Sequence, residues 1–293
     1  MAYRKGANII GFTPPFLPFI ILYHLVVALM RLVDLLVYRV RIKGKENLPR
    51  NGGAILVSNH TLLLDPGILA HAIRPHRTYF TMLEETALIP FLGTFVRLLG
   101  GVPIPERPGA LRALDAAART ALREIGFIHF FPEGECYREN QEIQPFHPGA
   151  FLLACRLNVP VVPITTVLYE TRWRGRRTLR FAGREILLPP RITIVFGAPV
   201  PAPFALLPAA GRVVYGLSLK RAARTLSGQV RADMQATIDR EKGSKAMSRG
   251  IMPRLVKHPL RGPAEMPRPD RDKRATPRNT AEGNSAEYRR RAI

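Results

Sequence analysis

Cysteine is nearly absent from this 293-residue chain. Cys136 and Cys155 are too few for a disulfide scaffold and supply no C-x-x-C zinc or redox pair. The sequence also lacks the glycine-rich fingerprints that cradle phosphates and dinucleotides, the H-E-x-x-H zinc motif and the G-x-S-x-G nucleophile elbow. The enzyme classes built on those motifs are set aside. Acidic residues are scarce as well: 22 Asp and Glu face 44 Lys and Arg, a formal net charge of +22. Such an excess calls for a polyanionic neighbour, a membrane surface or a solvated tail. Hydrophobic residues nevertheless make up 46% of the chain, which excludes wholesale disorder and leaves enough length for a buried core.

Charge is missing altogether between Lys5 and Arg31, where His24 is the one side chain that titrates near neutral pH. Phe16 to Met30 is almost wholly apolar, close to the roughly 20 residues a spanning helix needs. Thr13-Pro14-Pro15 interrupts its start, and Pro18 suits a first helical turn, so a helix is predicted from about Pro18 to Tyr38. No small-residue cleavage site follows, which argues against a signal peptide. Three readings stay open: a spanning anchor, a monotopic helix lying in one leaflet, or a buried core helix. Arg31, Arg39, Arg41, Lys43, Lys45 and Arg50 follow the apolar run. A spanning segment would then leave the rest of the chain in the cytoplasm, and a monotopic one would set these cations on an anionic leaflet. The expected location is the cytoplasmic face of the cell membrane.

From Val40 to about Ile238 strand-like and helix-like segments alternate. Strands are predicted at Gly53–Ser58, Thr78–Met82, Val102–Pro105, Phe127–Phe131, Val159–Tyr169 and Arg191–Gly197. Helices are predicted from Asp65 through Ala72, with Asp65 as N-cap, then at Pro90–Leu99, Leu111–Ile125, Pro148–Leu157 and Arg221–Arg240. The expected fold is α/β: a mixed, largely parallel twisted sheet covered by helices, preceded by an apolar membrane-docking helix. Residues 241–293 carry 14 basic and 6 acidic side chains with few large apolar ones, the composition of a disordered basic tail. Three regions follow: 1–38 membrane-associating, 39–241 the α/β domain, and 242–293 the tail. A nucleic-acid partner is not expected, because no reading motif accompanies the charge.

Four blocks could carry chemistry. Asn59-His60-Thr61-Leu62-Leu63-Leu64-Asp65 follows a buried strand, placing His60 at the carboxyl edge of a sheet with Asp65 able to fold back onto its ring. Alone, the pair could equally be a loop histidine and a helix cap. Phe131-Pro132-Glu133-Gly134 follows a second buried strand and delivers Glu133 to the same edge. Gly101-Val-Pro-Ile-Pro-Glu-Arg107 ends in a guanidinium suited to an oxyanion. Val159-Pro160-Val161-Val162-Pro163-Ile164, with two prolines, reads as an edge or lining strand.

Together and in this order, H-x4-D, G-x5-R, F-P-E-G and V-P-x-x-P resemble the glycerolipid acyltransferase family, best known for the lysophosphatidic acid acyltransferases. The resemblance runs from about Val40 to Pro199. It implies that His60 is the general base, that Asp65 orients it, that Arg107 holds the acceptor's phosphate, and that Glu133 and Gly134 shape the acceptor site. The implied reaction moves a fatty acyl group from acyl-CoA or acyl carrier protein to a lysophospholipid hydroxyl, without cofactor or metal. In one place the chain departs from the family: Glu135-Cys136 stands where Thr or Ser and then Arg are usual. Arg138 and Arg107 are the candidates to replace the missing cation; otherwise the acceptor is another lysolipid or hydroxylated lipid, and the alternative outside the enzymes is a catalytically silent lipid-binding homologue. A Cys136 nucleophile is disfavoured, since no histidine base follows it closely.

Overall fold

Residues 17–51, 53–104, 110–169, 178–181, 183–202 and 212–248 are described in the structure, a computed structural model. Short, doubly apolar strands demand cover on both faces. β2 (Ala54–Ser58), β5 (Phe127–Phe130) and β6 (Val161–Tyr169) are buried at every position. They sit inside a seven-stranded sheet with β1 (Arg41–Lys43), β3 (Tyr79–Leu83), β4 (Gly101–Ile104) and β9 (Arg191–Phe196), in the order β1-β9-β6-β2-β5-β3-β4. β6, β2, β5, β3 and β4 are mutually parallel, while β9 runs antiparallel to β6 and carries β1 parallel to itself. The sheet is therefore mixed and mostly parallel, as the alternation implied. A separate hairpin, β7 (Thr178–Phe181) with β8 (Arg184–Leu187), has no counterpart in the sequence reading.

Side chains alternate across the sheet and split the core in two. Ile55, Val57, Ile128 and Val161 face α5 (Ala110–Glu124), α6 (Gly149–Leu157) and α7 (Arg212–Ser248). Leu56, Phe127, Val162 and Ile194 face α1 (Leu17–Val33) and α2 (Asp65–Ile73). The β3-to-β4 connection is two short helices, α3 (Glu84–Leu88) and α4 (Leu92–Leu98), where one helix was expected. Right-handed crossover puts it on the α1–α2 face, and Leu99 packs into that cluster. α7 extends beyond the predicted helix at both ends, to Ser248. The remainder of the tail, 249–293, lies outside the described residues.

The proline strand is not an edge. β6 is paired on both sides, by β2 and β9. The β6–β9 ladder starts at Ile164↔Phe196, yet the bridge before it joins Val161 to Val200. Two residues thus oppose three, a bulge, and Pro163 sits in it where a missing N–H interrupts no regular rung.

α1 continues through a π turn, Asp34–Tyr38. Tyr23, Val27, Met30 and Asp34 form its inner stripe, at the spacing of one helical face. Ile21, Leu25, Leu29, Leu35 and Leu36 stay 58–69% exposed on the outside, so α1 is not a buried core helix. At its foot, the buried Asp34 carboxylate meets His71 Nδ1 of α2 at 2.6 Å. Removing the imidazole leaves that carboxylate buried without its partner. His71→Ala is therefore expected to lower the unfolding free energy by roughly 2–3 kcal/mol; a denaturation midpoint equal to wild type contradicts this.

Candidate active site

Strand register builds the site. β2 and β5 are adjacent and parallel, with Val57 opposite Phe130. Carrying that register three residues beyond the Val57–Phe130 pair sets His60 beside Glu133. The contact forms there, as the His60 N–H reaches Glu133 Oε1 at 3.4 Å across a sequence separation of 73. Asn59 holds the chain where it leaves the sheet. Its side-chain amide donates to Thr166 O (3.0 Å) and its carbonyl accepts from Thr166 N–H (2.8 Å), a substitute rung on β6.

Asp65 opens α2 but does not cap it. Its carboxylate turns back over the preceding loop, where Oδ2 accepts from Thr61 N–H (2.7 Å), Leu62 N–H (2.8 Å) and His60 Nδ1 (3.0 Å). The Asp65 side chain is 1% exposed and that of His60 18%. With its hydrogen on Nδ1, the ring keeps a lone pair on Nε2. Phe131 stacks on the imidazole, centroids 4.1 Å apart and planes at 23°.

Behind Phe131 lies a residue the sequence reading missed. His129, fully buried in β5, meets Phe131 edge-on at 4.6 Å, and its Nε2 bonds Ser58 Oγ at 2.9 Å. Burial, with a smaller push from His60, depresses its pKa to about 3, so the ring is neutral and weakly basic, with Nε2 engaged by Ser58. Only a strand register, which propensity does not supply, could have placed it behind the site.

Glu133 is buried too, and burial lifts its carboxyl to about 7 against the opposing pull of the His60 and Gln144 N–H groups and the Arg231 charge. Gly134 has φ +78, and a Cβ there would lie 2.8 Å from the His147 ring, so both backbone and space require glycine. The next residues lace the two blocks together: Tyr137 N–H donates to His60 O and Glu139 N–H to Thr61 O, each at 2.9 Å. Arg138, between them, is exposed, as is Glu135. Cys136 has its thiol pushed up by burial and by the Asp65 charge, with Arg138 pulling it down. A thiol so placed stays protonated. Thus His60, Asp65, Glu133, Gly134 and Arg138 converge on one edge, while Arg107 lies outside the described residues. Among the described residues no group of three His, Cys, Asp or Glu side chains is placed to hold a metal ion.

Residues 39–167 match the family model described as Acyltransferase. A 1-acyl-sn-glycerol-3-phosphate acyltransferase of Chlamydomonas reinhardtii is 34% identical over 172 residues, 56% of this chain and 47% of that protein. The enzyme of that name from Saccharomyces cerevisiae is 31% identical over 43% of this chain and 42% of its own length. Human 1-acyl-sn-glycerol-3-phosphate acyltransferase alpha is 31% identical over 45% and 47%. The matched stretches span less than half of each relative. The crystal structure of the 1-acyl-sn-glycerophosphate (LPA) acyltransferase PlsC from Thermotoga maritima superposes with a TM-score of 0.50, covering 77% of this chain and 85% of that one. At 19% identity the likeness shows the fold alone.

The buried acid has a measurable signature. Glu133 keeps its proton to about pH 7 in the fold but releases it near pH 4.5 when unfolded. The unfolded chain thus binds fewer protons between those values, so stability is fullest below about 4.5 and falls as pH rises through 7. Glu133→Gln is expected to remove about 2–3 kcal/mol of that decline between roughly pH 5 and 8. Denaturation curves across the range check this, and an unaltered slope contradicts it.

Proposed function

We propose, on the match of residues 39–167 to the acyltransferase family model, that the chain moves a fatty acyl group from acyl-CoA or acyl carrier protein to the free hydroxyl of a lysophospholipid. The acceptor is 1-acyl-sn-glycerol 3-phosphate and the product phosphatidic acid. The observation that carries the reading is the His60 Nδ1–Asp65 Oδ2 bond at 3.0 Å, beside Glu133 on one sheet edge.

His60 Nε2 takes the proton of the acceptor hydroxyl as its oxygen attacks the thioester carbonyl. Asp65 holds the ring and offsets the charge of the imidazolium that forms. The tetrahedral intermediate then collapses by breaking the carbon–sulfur bond. The proton on His60 passes to the departing sulfur, so the free base is restored and no acyl-enzyme forms. A thioester is already activated, and the protein's work is positioning, proton transfer and charge stabilisation. Glu133 and Gly134 shape the acceptor side, with Arg107 and Arg138 as the cations for its phosphate. One observation favours a second reading: exposed Glu135 and a protonated Cys136 stand where the family usually has Thr or Ser and then a cation. An acceptor without a terminal phosphate suits them better.

Docking on the cytoplasmic leaflet completes the reading. Among the described residues, the exposed large apolar side chains fall in three segments: the outside of α1 and its π turn, Leu63–Leu64 beside His60, and Leu83–Phe95, where Phe91 is 92% exposed. α1 and the Leu83–Phe95 segment belong to the same face, and the other segment borders the catalytic loop. This supports a monotopic α1 rather than one that leaves the body to span. Exposed Arg31 and Arg39 suit an anionic surface.

His60→Ala is expected to lower turnover of labelled acyl-CoA by about a thousandfold or more, with sedimentation on vesicles unchanged; retained turnover removes the assigned base. A panel of lysolipids with and without a terminal phosphate decides between the two acceptors. Preference for the phosphomonoester supports the first reading and indifference to it the second.

A further inference from the structure

His129 stands apart from the proton transfer, yet it occupies a costly place. It belongs to β5, in the middle of the sheet, and is fully buried. Its Nδ1 meets no hydrogen-bond partner among the described residues. An imidazole so placed costs stability that an apolar side chain of similar size would not. Its contacts lead to the loop that bears His60.

Strand register starts the path. His129 pairs with Leu56 of β2, so Ser58, two residues on, shares its face of the sheet. The backbone ladder between β2 and β5 ends one residue later, at Val57 and Phe130. There the bond between Ser58 Oγ and His129 Nε2, at 2.9 Å, ties the two strands by their side chains. Thus anchored, the His129 ring lies at 71° to that of Phe131, centroids 4.6 Å apart. Aromatic pairs favour this edge-to-face geometry. Phe80 packs on the same imidazole at 5.0 Å. Phe131 in turn stacks on His60 at 4.1 Å and 23°.

Asp65 alone does not fix the His60 ring. The bond at Nδ1 holds one atom, while the χ2 torsion of histidine is broad and leaves the plane free to tilt. The face of Phe131 laid on the imidazole removes that freedom. Phe131 has an equally soft χ2, and the contact with His129 restrains it. The plane of the His60 ring decides where Nε2 points. A reacting group misplaced by about 1 Å loses about a hundredfold in rate.

We propose that His129, anchored by Ser58, is a positioning residue for acyl transfer: it fixes the Phe131 ring, which sets the plane of the His60 imidazole. The role rests on His60 being the base. It requires no proton exchange between the two histidines.

The test compares the wild-type chain with the double variant Ser58→Ala/His129→Leu. Both partners of the buried bond are then replaced by apolar groups, a change nearly neutral for stability. The denaturation midpoint is expected to stay close to wild type. With labelled acyl-CoA, kcat is expected to fall about tenfold or more, while KM for the lysolipid changes less than about twofold. Ser58→Ala alone, the milder change, is expected to lower kcat about threefold. NMR of the carbon-bound His60 ring protons reads the stacking without turnover. The Phe131 face holds these protons upfield, and both variants are expected to move them downfield. A fall in kcat with a steady midpoint and a moved resonance supports the role. Unchanged kcat, an unmoved resonance, or a loss of kcat matched by loss of stability in both variants overturns it and leaves His60 as the base. Absence of acyl transfer in the wild type overturns the reading of His60 as the base, and this role with it.

Discussion

One carboxylate oxygen organises the loop between β2 and α2. Asp65 Oδ2 collects the backbone N–H groups of Thr61 and Leu62 together with the His60 ring. Bonds to a charged acceptor contribute about 1.5–3 kcal/mol each, so the carboxylate folds the turn and orients the imidazole in one act. Asp65 is also the first residue of α2, so the loop is anchored to a helix rather than left to itself. That helix is in turn tied to α1 through His71 and Asp34. The exposed apolar outside of α1, α2 and the His60 imidazole therefore form one mechanical line.

The parallel sheet supplies the other constraint. Two neighbouring strands in register must release their following residues side by side, and each is continued by a short polar turn. His60 and Glu133 meet for that reason and not because of any affinity between them; their contact is long, at 3.4 Å. What makes the meeting permanent is the lacing of Tyr137 and Glu139 onto the His60–Thr61 carbonyls and the Asn59 clamp on β6. The Glu133–Gly134 turn is thus held by backbone bonds, and Gly134 leaves space that the His147 ring borders.

Much of this was legible in residue order. The strand–His–x4–Asp and strand–Pro–Glu–Gly patterns mark two carboxyl edges, and a βαβ alternation brings such edges together. Other features depend on pairing that sequence does not encode locally. Asp65 looks like a helix cap, yet the three donors behind it outcompete the helix's own amides. Pro163 looks like an edge marker until the bulge at Val161–Val200 and Ile164–Phe196 provides a place without a regular rung. His129 reads as one more polar interruption of a strand, because only the fold brings it to Ser58 and Phe131. α3 and the β7–β8 hairpin are likewise products of tertiary geometry. Arg138 lies exposed beside the third block; Arg107 lies outside the described residues.

The central claim is that His60 keeps its hydrogen on Nδ1, against Asp65, and an open lone pair on Nε2. Long-range proton–nitrogen NMR on protein labelled with ¹⁵N-histidine reads this directly, with the His60 resonance assigned by its loss in His60→Gln. The account predicts a single Nδ1–H tautomer in the neutral ring that gives way to tautomer averaging in Asp65→Ala. An Nε2–H tautomer in the unaltered protein, or averaging already present there, would contradict it.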